Sequence, residues 1–144
     1  MSYAPGIHTL TIPSATRYLR RVRNFVTQHA QQAKLTETHI NALILAVDEA
    51  CANVIEHAYQ QDPNNELTIA MTIESTHVVV EIRDHGLPFN RKDYQRPNVV
   101  ELSRKRRSGG LGVDIMRRMM DKVEYLAHEN MNEVRLTKFL HQSE

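Results

Sequence analysis

Ala46-Val47-Asp48-Glu49-Ala50-Cys51-Ala52-Asn53-Val54-Ile55-Glu56-His57-Ala58-Tyr59 is the stretch on which the fold of this chain turns. Together with the residues just before it, it carries one apolar stripe at helical spacing: Ile40, Leu43, Ile44, Val47, Cys51, Val54 and Ala58. The spacing predicts a helix capped by Thr36 and running to about Tyr59. Its polar side is unusual. Glu49, Asn53 and Glu56 stand at i, i+4 and i+7, so two carboxylates and an amide share one line. A carboxylate one turn from an amide can hold a hard divalent cation, or orient a hydroxyl while taking its proton. The same spacing also fits a merely solvated helix face, and the rest of the chain has to decide between them.

Upstream, Ile7-His8-Thr9-Leu10-Thr11-Ile12 alternates as a short strand ended by Pro13, with Ser14 as the candidate cap of a first helix. Tyr18, Leu19, Val22, Phe25, Val26 and His29 mark that helix, and Arg17, Arg20, Arg21 and Arg23 form its outer face. Such a face is either solvated or a protein-docking surface. Downstream, residues 60–65 (Gln-Gln-Asp-Pro-Asn-Asn) have turn composition. Leu67, Ile69, Met71 and Ile73 then alternate with polar or small residues, and Val78 to Asp84 return as a second strand after the turn at 74–77. Parity places Asp84 on the same face as Val78, Val80 and Ile82, the core face. A carboxylate there is costly unless something donates to it, and Gly86, two residues on, allows a close approach to the backbone.

Residues 87–110 break all periodicity, apart from room for a short helix near 97–102, and such segments commonly serve as lids or binding loops. They end in Arg104-Lys105-Arg106-Arg107 and Ser108-Gly109-Gly110-Leu111-Gly112, followed by a helix marked by Leu111, Ile115, Met116, Met119 and Met120. Glycines ahead of a helix start free backbone N–H groups to face an anion. Two last strands, 123–128 and 133–139, flank a turn at 129–132.

The bulk properties narrow the function classes. At 144 residues one domain spanning 1–144 is expected, with enough length for a hydrophobic core. A net charge of +1 gives no global attraction to nucleic acid or acidic lipid, so any basic function is local. No secretory signal and no apolar run of membrane-spanning length is present, which points to the cytoplasm. The lone Cys51 lies on the apolar side of its helix and reads as a buried, inert thiol.

Taken in order, Glu49/Asn53 on a helix, Asp84-His85-Gly86 ending a strand and a glycine turn at a helix start resemble the N, G1 and G2 boxes of the GHKL ATPase superfamily. The closest likeness is to the small anti-sigma factor serine kinases of the RsbW and SpoIIAB kind, over nearly the whole chain. Ala46 to Ala50, Asn53 with Glu56 to Tyr59, Asp84 to Phe89, and Gly109 to Gly112 carry it. The resemblance implies the Bergerat fold, an α/β two-layer sandwich with a mixed, mostly antiparallel sheet and helices on one face. It implies ATP and Mg²⁺ as ligands. Asp84 would accept from the adenine amino group, Gly86 would let the base lie close, and Asn53 would coordinate Mg²⁺. Gly109, Gly110, Leu111 and Gly112 would hold the phosphates under a lid at about 87–110, with Arg106 or Arg107 reaching the γ-phosphate. Glu49 would be the general base toward a serine or threonine hydroxyl. Implied partners are a STAS-type anti-sigma-factor antagonist as substrate, a sigma factor or other regulated target, and a second copy of the chain, with no nucleic acid and no membrane.

Three alternatives differ in what they require. A non-catalytic ATP-binding regulatory module of the same fold would not need Glu49. The ATPase part of a histidine kinase would need a phosphoacceptor helix, whereas about six residues precede the first strand. Nucleic-acid binding through residues 104–107 would be helped by interleaved aromatics, which are missing.

Overall fold

The computed structural model describes residues 6–87 and 116–140. Strand β1 (Gly6–Pro13) leads through a 3-10 turn (Thr16–Tyr18) into helix α1 (Leu19–Gln32) and helix α2 (Glu37–Asn53). A π-helical turn (Val54–Ala58) extends α2 before strands β2 (Glu66–Ile73) and β3 (His77–Asp84). After a helical stretch at 116–119, β4 (Lys122–Ala127) and β5 (Asn132–Phe139) complete a sheet of five strands in the order β1-β2-β3-β5-β4. Every pairing among these strands is antiparallel.

Strand alternation decides which face the helices cover. Leu10, Ile69, Ile82, Val134 and Tyr125 form one continuous row across all five strands. His8, Met71, Val80, Leu136 and Val123 form the row beside it. Against these rows α1 buries Leu19, Val22, Phe25, Val26 and Ala30, and α2 buries Ile40, Leu43, Ala46, Val47, Ala50 and Cys51. Removing such side chains from water supplies about 1.5–3 kcal/mol for each large one. His8 of β1 stacks on His29 of α1 with ring centroids 3.8 Å apart, which ties the edge strand to the first helix. Cys51 is fully buried and its thiol is pushed far up by burial, in keeping with an inert role. Among the described residues no helix is long and apolar enough to cross a membrane.

The helix termini follow local chemistry. Thr36 caps α2 by accepting from the His39 N–H at 3.2 Å. At the end of α1, Leu35 N–H reaches Ala30 O and Lys34 N–H reaches Gln31 O, a Schellman closure with Lys34 at φ 61°. Three local expectations need correction. Ser14 caps no helix; its hydroxyl donates to Asp62 O at 2.6 Å and accepts from Asn65 N–H at 3.1 Å, pinning the 60–65 turn to the end of β1. The α-helical hydrogen bonding of α2 stops at Asn53 rather than near Tyr59, because Tyr59 N–H bonds back five residues to Val54 O. Asn132 belongs to β5 and not to the preceding turn. The short helix expected near 97–102, and Leu111 and Ile115 of the later one, lie outside the described residues; Met116 and Met120 are buried in the core.

The sheet's other face carries no helix among the described elements. There Arg83 and Arg135 bridge Glu81 and Glu133 at 2.8–3.6 Å, and His128 lies 3.4 Å from Glu133.

Candidate functional site

The row next to Leu10–Tyr125 on the core face is Ile12, Leu67, Asp84, Asn132 and Ala127. A carboxylate and an amide thus occupy the middle of an otherwise apolar row, at the end of the sheet. Asp84 is fully buried. Its Oδ1 accepts from Asn132 Nδ2 at 2.9 Å and from Gly86 N–H at 2.8 Å. Its Oδ2 is buried with no partner among the described residues. Burial pushes the carboxyl above the usual range, against the opposing pull of Asn132, the Gly86 N–H and His85. An acceptor held in this state awaits a donor, because a buried lone pair without one costs free energy.

The turn after Asp84 is held on several sides. Asn132 Nδ2 also donates to Leu87 O at 2.9 Å, and Leu87 N–H bonds Ala58 O at 2.9 Å. The Tyr59 hydroxyl donates to Glu66 O at 2.6 Å and accepts from His85 N–H at 2.8 Å. His85 Nδ1 donates to Asn130 O at 2.7 Å. A Cβ at Gly86 would collide with the Ala58 carbonyl and come within 2.9 Å of Tyr59 Cδ1. Glycine is therefore required here by the end of the π-turn itself, independently of any ligand.

Glu49 and Asn53 lie on α2, one turn apart, just before the π-turn that meets Gly86. Glu49 is half-buried, and burial together with the charges of Asp48 and Glu56 raises its proton affinity. That suits a group which must accept a proton near neutral pH. Asn53 is buried, and its Nδ2 has no partner among the described residues. An amide in this state offers a donor to an anionic oxygen, and a carbonyl to a hard cation. Among the described residues no group of three or more His, Cys, Asp or Glu is placed to hold a metal. A cation of the Mg²⁺ type, which takes few protein ligands and relies on phosphate and water, fits this donor set.

Of the candidate residues, Glu49, Asn53, Asp84 and Gly86 are described, on two segments that meet where Gly86 and Leu87 touch Ala58 and Tyr59. Arg106, Arg107, Gly109, Gly110, Leu111 and Gly112 lie outside the described residues. Sequence reasoning missed Asn132 and gave Tyr59 no task. No local signal marks Asn132: its place opposite Asp84 follows from the register of β5 against β3, which only the folded sheet sets.

Comparison with known proteins gives a consistent picture. Residues 12–138 match the family described as the histidine kinase-like ATPase domain. The chain is similar to the serine-protein kinase RsbW of Bacillus subtilis (strain 168), with 30% identity over 91% of this chain and 84% of that protein. It is also similar to serine-protein kinase RsbW of Listeria monocytogenes serovar 1/2a, with 29% identity over 94% and 88%. A crystal structure of the RsbU and RsbW domains of a Mycobacterium tuberculosis protein shares the fold, with TM-score 0.68 and 13% identity over 96% of this chain. This chain spans about a third (34%) of that longer one. The Acinetobacter baumannii histidine kinase AdeS is a more distant likeness in fold, with TM-score 0.54 and 12% identity over 94% of this chain and 68% of that one.

Proposed function

The chain belongs to the histidine kinase-like ATPase domain family, among the relatives of RsbW, and is a protein kinase; from that premise we propose that it transfers the γ-phosphoryl group of ATP to a serine or threonine of a small STAS-type antagonist protein. In this reading it is a cytoplasmic anti-sigma factor. It holds a sigma factor, or another regulated target, while its antagonist is phosphorylated, and it works as a homodimer of single-domain chains.

The observation that carries the reading is the uncommitted oxygen of Asp84. A fully buried carboxylate with one oxygen saturated by an amide and a backbone N–H presents one acceptor of fixed direction, which suits an exocyclic amino group of adenine. Asn132, Tyr59 and the Gly86 turn hold that acceptor still, so little ordering is left to occur on binding. Asn53 would hold Mg²⁺ beside the phosphates. Bound ATP and Mg²⁺ would supply the transferable phosphoryl group and neutralise its charge. Gly109, Gly110, Leu111 and Gly112, with Arg106 or Arg107, would close over the phosphates as part of a lid at about 87–110. Glu49 would take the acceptor hydroxyl's proton as the oxygen attacks, its raised proton affinity matching the task.

A transfer assay with γ-labelled ATP and Mg²⁺ against STAS-domain proteins of the same genome tests this. Label on a serine or threonine of one of them is the expected result. Glu49→Ala should abolish transfer while ATP binding persists; unchanged transfer removes Glu49 from the base role. ATP binding that survives Asp84→Ala would overturn the nucleotide site.

A further inference from the structure

Away from the nucleotide site, the edge strand β1 and helix α1 meet ring on ring. His8 and His29 stack with centroids 3.8 Å apart and planes 19° from parallel, and Phe25 meets His29 edge-on at 4.9 Å. Both histidines are half-buried. Strand β1 has one strand neighbour, β2, so its hold on the molecule also depends on the helical layer, through Leu10 and Ile12 as well as this stack. Of these three side chains only His8 can change its charge, and it lies nearest the start of the strand.

The surroundings suit neutral rings. Opposite His8 on β2 is Met71, with Leu10, Ile69 and Ile73 around the pair on the core face. Helix α1 carries no acidic residue, and its nearest arginine in sequence, Arg23, is paired with Asp48. Helix α2 turns Ile40 and Leu43 toward the same core, and the titratable groups at its start and in the connection before it are Lys34, Glu37 and His39. Among the described residues the charge that acts on His29 is that of His8. His29 Nδ1 is buried with no hydrogen-bond partner among the described residues. A neutral imidazole can leave a bare lone pair there, whereas the cation places an N–H there that needs an acceptor. Burial and the charge of His8 lower the proton affinity of His29, and a hydrogen bond with Gln32 opposes them only in part.

We propose that the His8–His29 stack is an acid-sensitive clasp: protonation of both rings parts the start of β1 from α1 and opens the edge of β2. Two imidazolium rings face to face at this distance, with no carboxylate between them, are driven apart. Released from the stack, each ring regains the ordinary histidine value near 6.5, so protons favour the open form. The stabilisation is complete above that value and is lost as pH falls from it toward the lowered value of His29. The clasp thus responds in a range where carboxylates of ordinary proton affinity are already ionised. It stands independently of the kinase reading.

The test is hydrogen exchange of the full chain at about pH 7.5 and about pH 5.5, corrected for the intrinsic rate at each. Protection of the β1 amides bonded to β2 should fall about tenfold between the two, while that of β3 and β5 holds. The double variant His8→Phe/His29→Phe keeps two flat rings without their charge, and its β1 protection should not change with pH. Ring titration followed by NMR gives a second reading: in His8→Gln, His29 should take up its proton at higher pH than in the wild type. Wild-type exchange and this titration decide the question even without the double variant. Protection of β1 that stays flat with pH, a fall that persists in the phenylalanine variant, an equal fall in β3 and β5, or an unmoved His29 titration in His8→Gln would each overturn the proposal.

Discussion

Asp84 and Glu133 sit on adjacent strands with next to no exposure, at neighbouring register positions on opposite faces of the sheet: Asp84 opposite Asn132, and Arg83 opposite Glu133. The surroundings differ in kind. Glu133 is enclosed by charge, with Arg135 at 2.8 Å, Arg83 at 3.6 Å and His128 at 3.4 Å. Burial alone would raise its proton affinity, but hydrogen bonds and the charges of Arg135 and Arg83 outweigh that and hold it below the usual carboxylate range. Asp84 receives a neutral amide and a backbone N–H on one oxygen and, among the described residues, nothing on the other, and burial raises it. A carboxylate saturated by guanidinium groups is part of the frame. One left with an open lone pair and a neutral partner is kept ready for a donor from outside, at the expense of stability.

The largest expected effect separates these roles directly. Asp84→Asn keeps the volume but replaces the charged acceptor, and ATP affinity should fall by about 100-fold, the upper end of a charge-assisted hydrogen bond. Its urea midpoint should stay level or rise. A marked loss of stability with ATP binding intact would reverse the assignment of the two carboxylates. Glu133→Gln should do the opposite and destabilise by about 2 kcal/mol, less than a fully buried ion pair would suggest, because the arginines are about a third exposed and keep Glu81. Its ATP affinity should not move.

Tyr59→Phe sharpens the comparison on a smaller scale. It preserves the ring but removes the acceptor of His85 N–H and the donor to Glu66 O. About 1 kcal/mol of stability and a few-fold of ATP affinity should be lost together, measured by denaturation and by titration calorimetry. A variant that lost stability alone would confine Tyr59 to the frame.

The two groups also pull in opposite directions with pH. Asp84 has a raised folded value, so its ionisation weakens the fold as pH climbs from the unfolded carboxylate value to the raised one, and the penalty is constant above that. The advantage of Asp84→Asn over wild type should grow across that window and then level off. Glu133 has a depressed folded value, so its contribution is complete above the unfolded value and is lost as pH falls through the folded one. Denaturation of both variants from pH 3 to 7 checks the two signs.

Much of this contrast was legible in the chain. Period-two alternation along residues 78–84 sufficed to put Asp84 inward, because parity in a strand is a local property. The period of 3.6 placed Glu49 and Asn53 on one helix for the same reason. What escaped was non-local. Asn132 sits in the polar run Glu129-Asn130-Met131-Asn132, which has turn composition, and its role arises only when β5 registers against a strand 48 residues away. Ser14 looks like a cap because cap chemistry and tertiary hydrogen bonding draw on the same hydroxyl. The π-turn was invisible because Val54 and Ala58 continue the apolar stripe through it.

That turn gives the end of α2 a property of phase. A π-turn closes its hydrogen bond over one residue more than an α-turn, so the chain leaves Ala58 rotated by about 100° relative to an uninterrupted helix. Tyr59 faces the His85 N–H because of that offset, and the Ala58 carbonyl meets Leu87 for the same reason. The segment works as a vernier: one surplus residue, spread over a single wide turn, sets the angular alignment between the helix that carries Glu49 and the strand that carries Asp84. An insertion in the connection at 60–65 would disturb its bonds to Ser14 but not this alignment, whereas any change in residue count between Val54 and Ala58 would turn the latch away from its keeper.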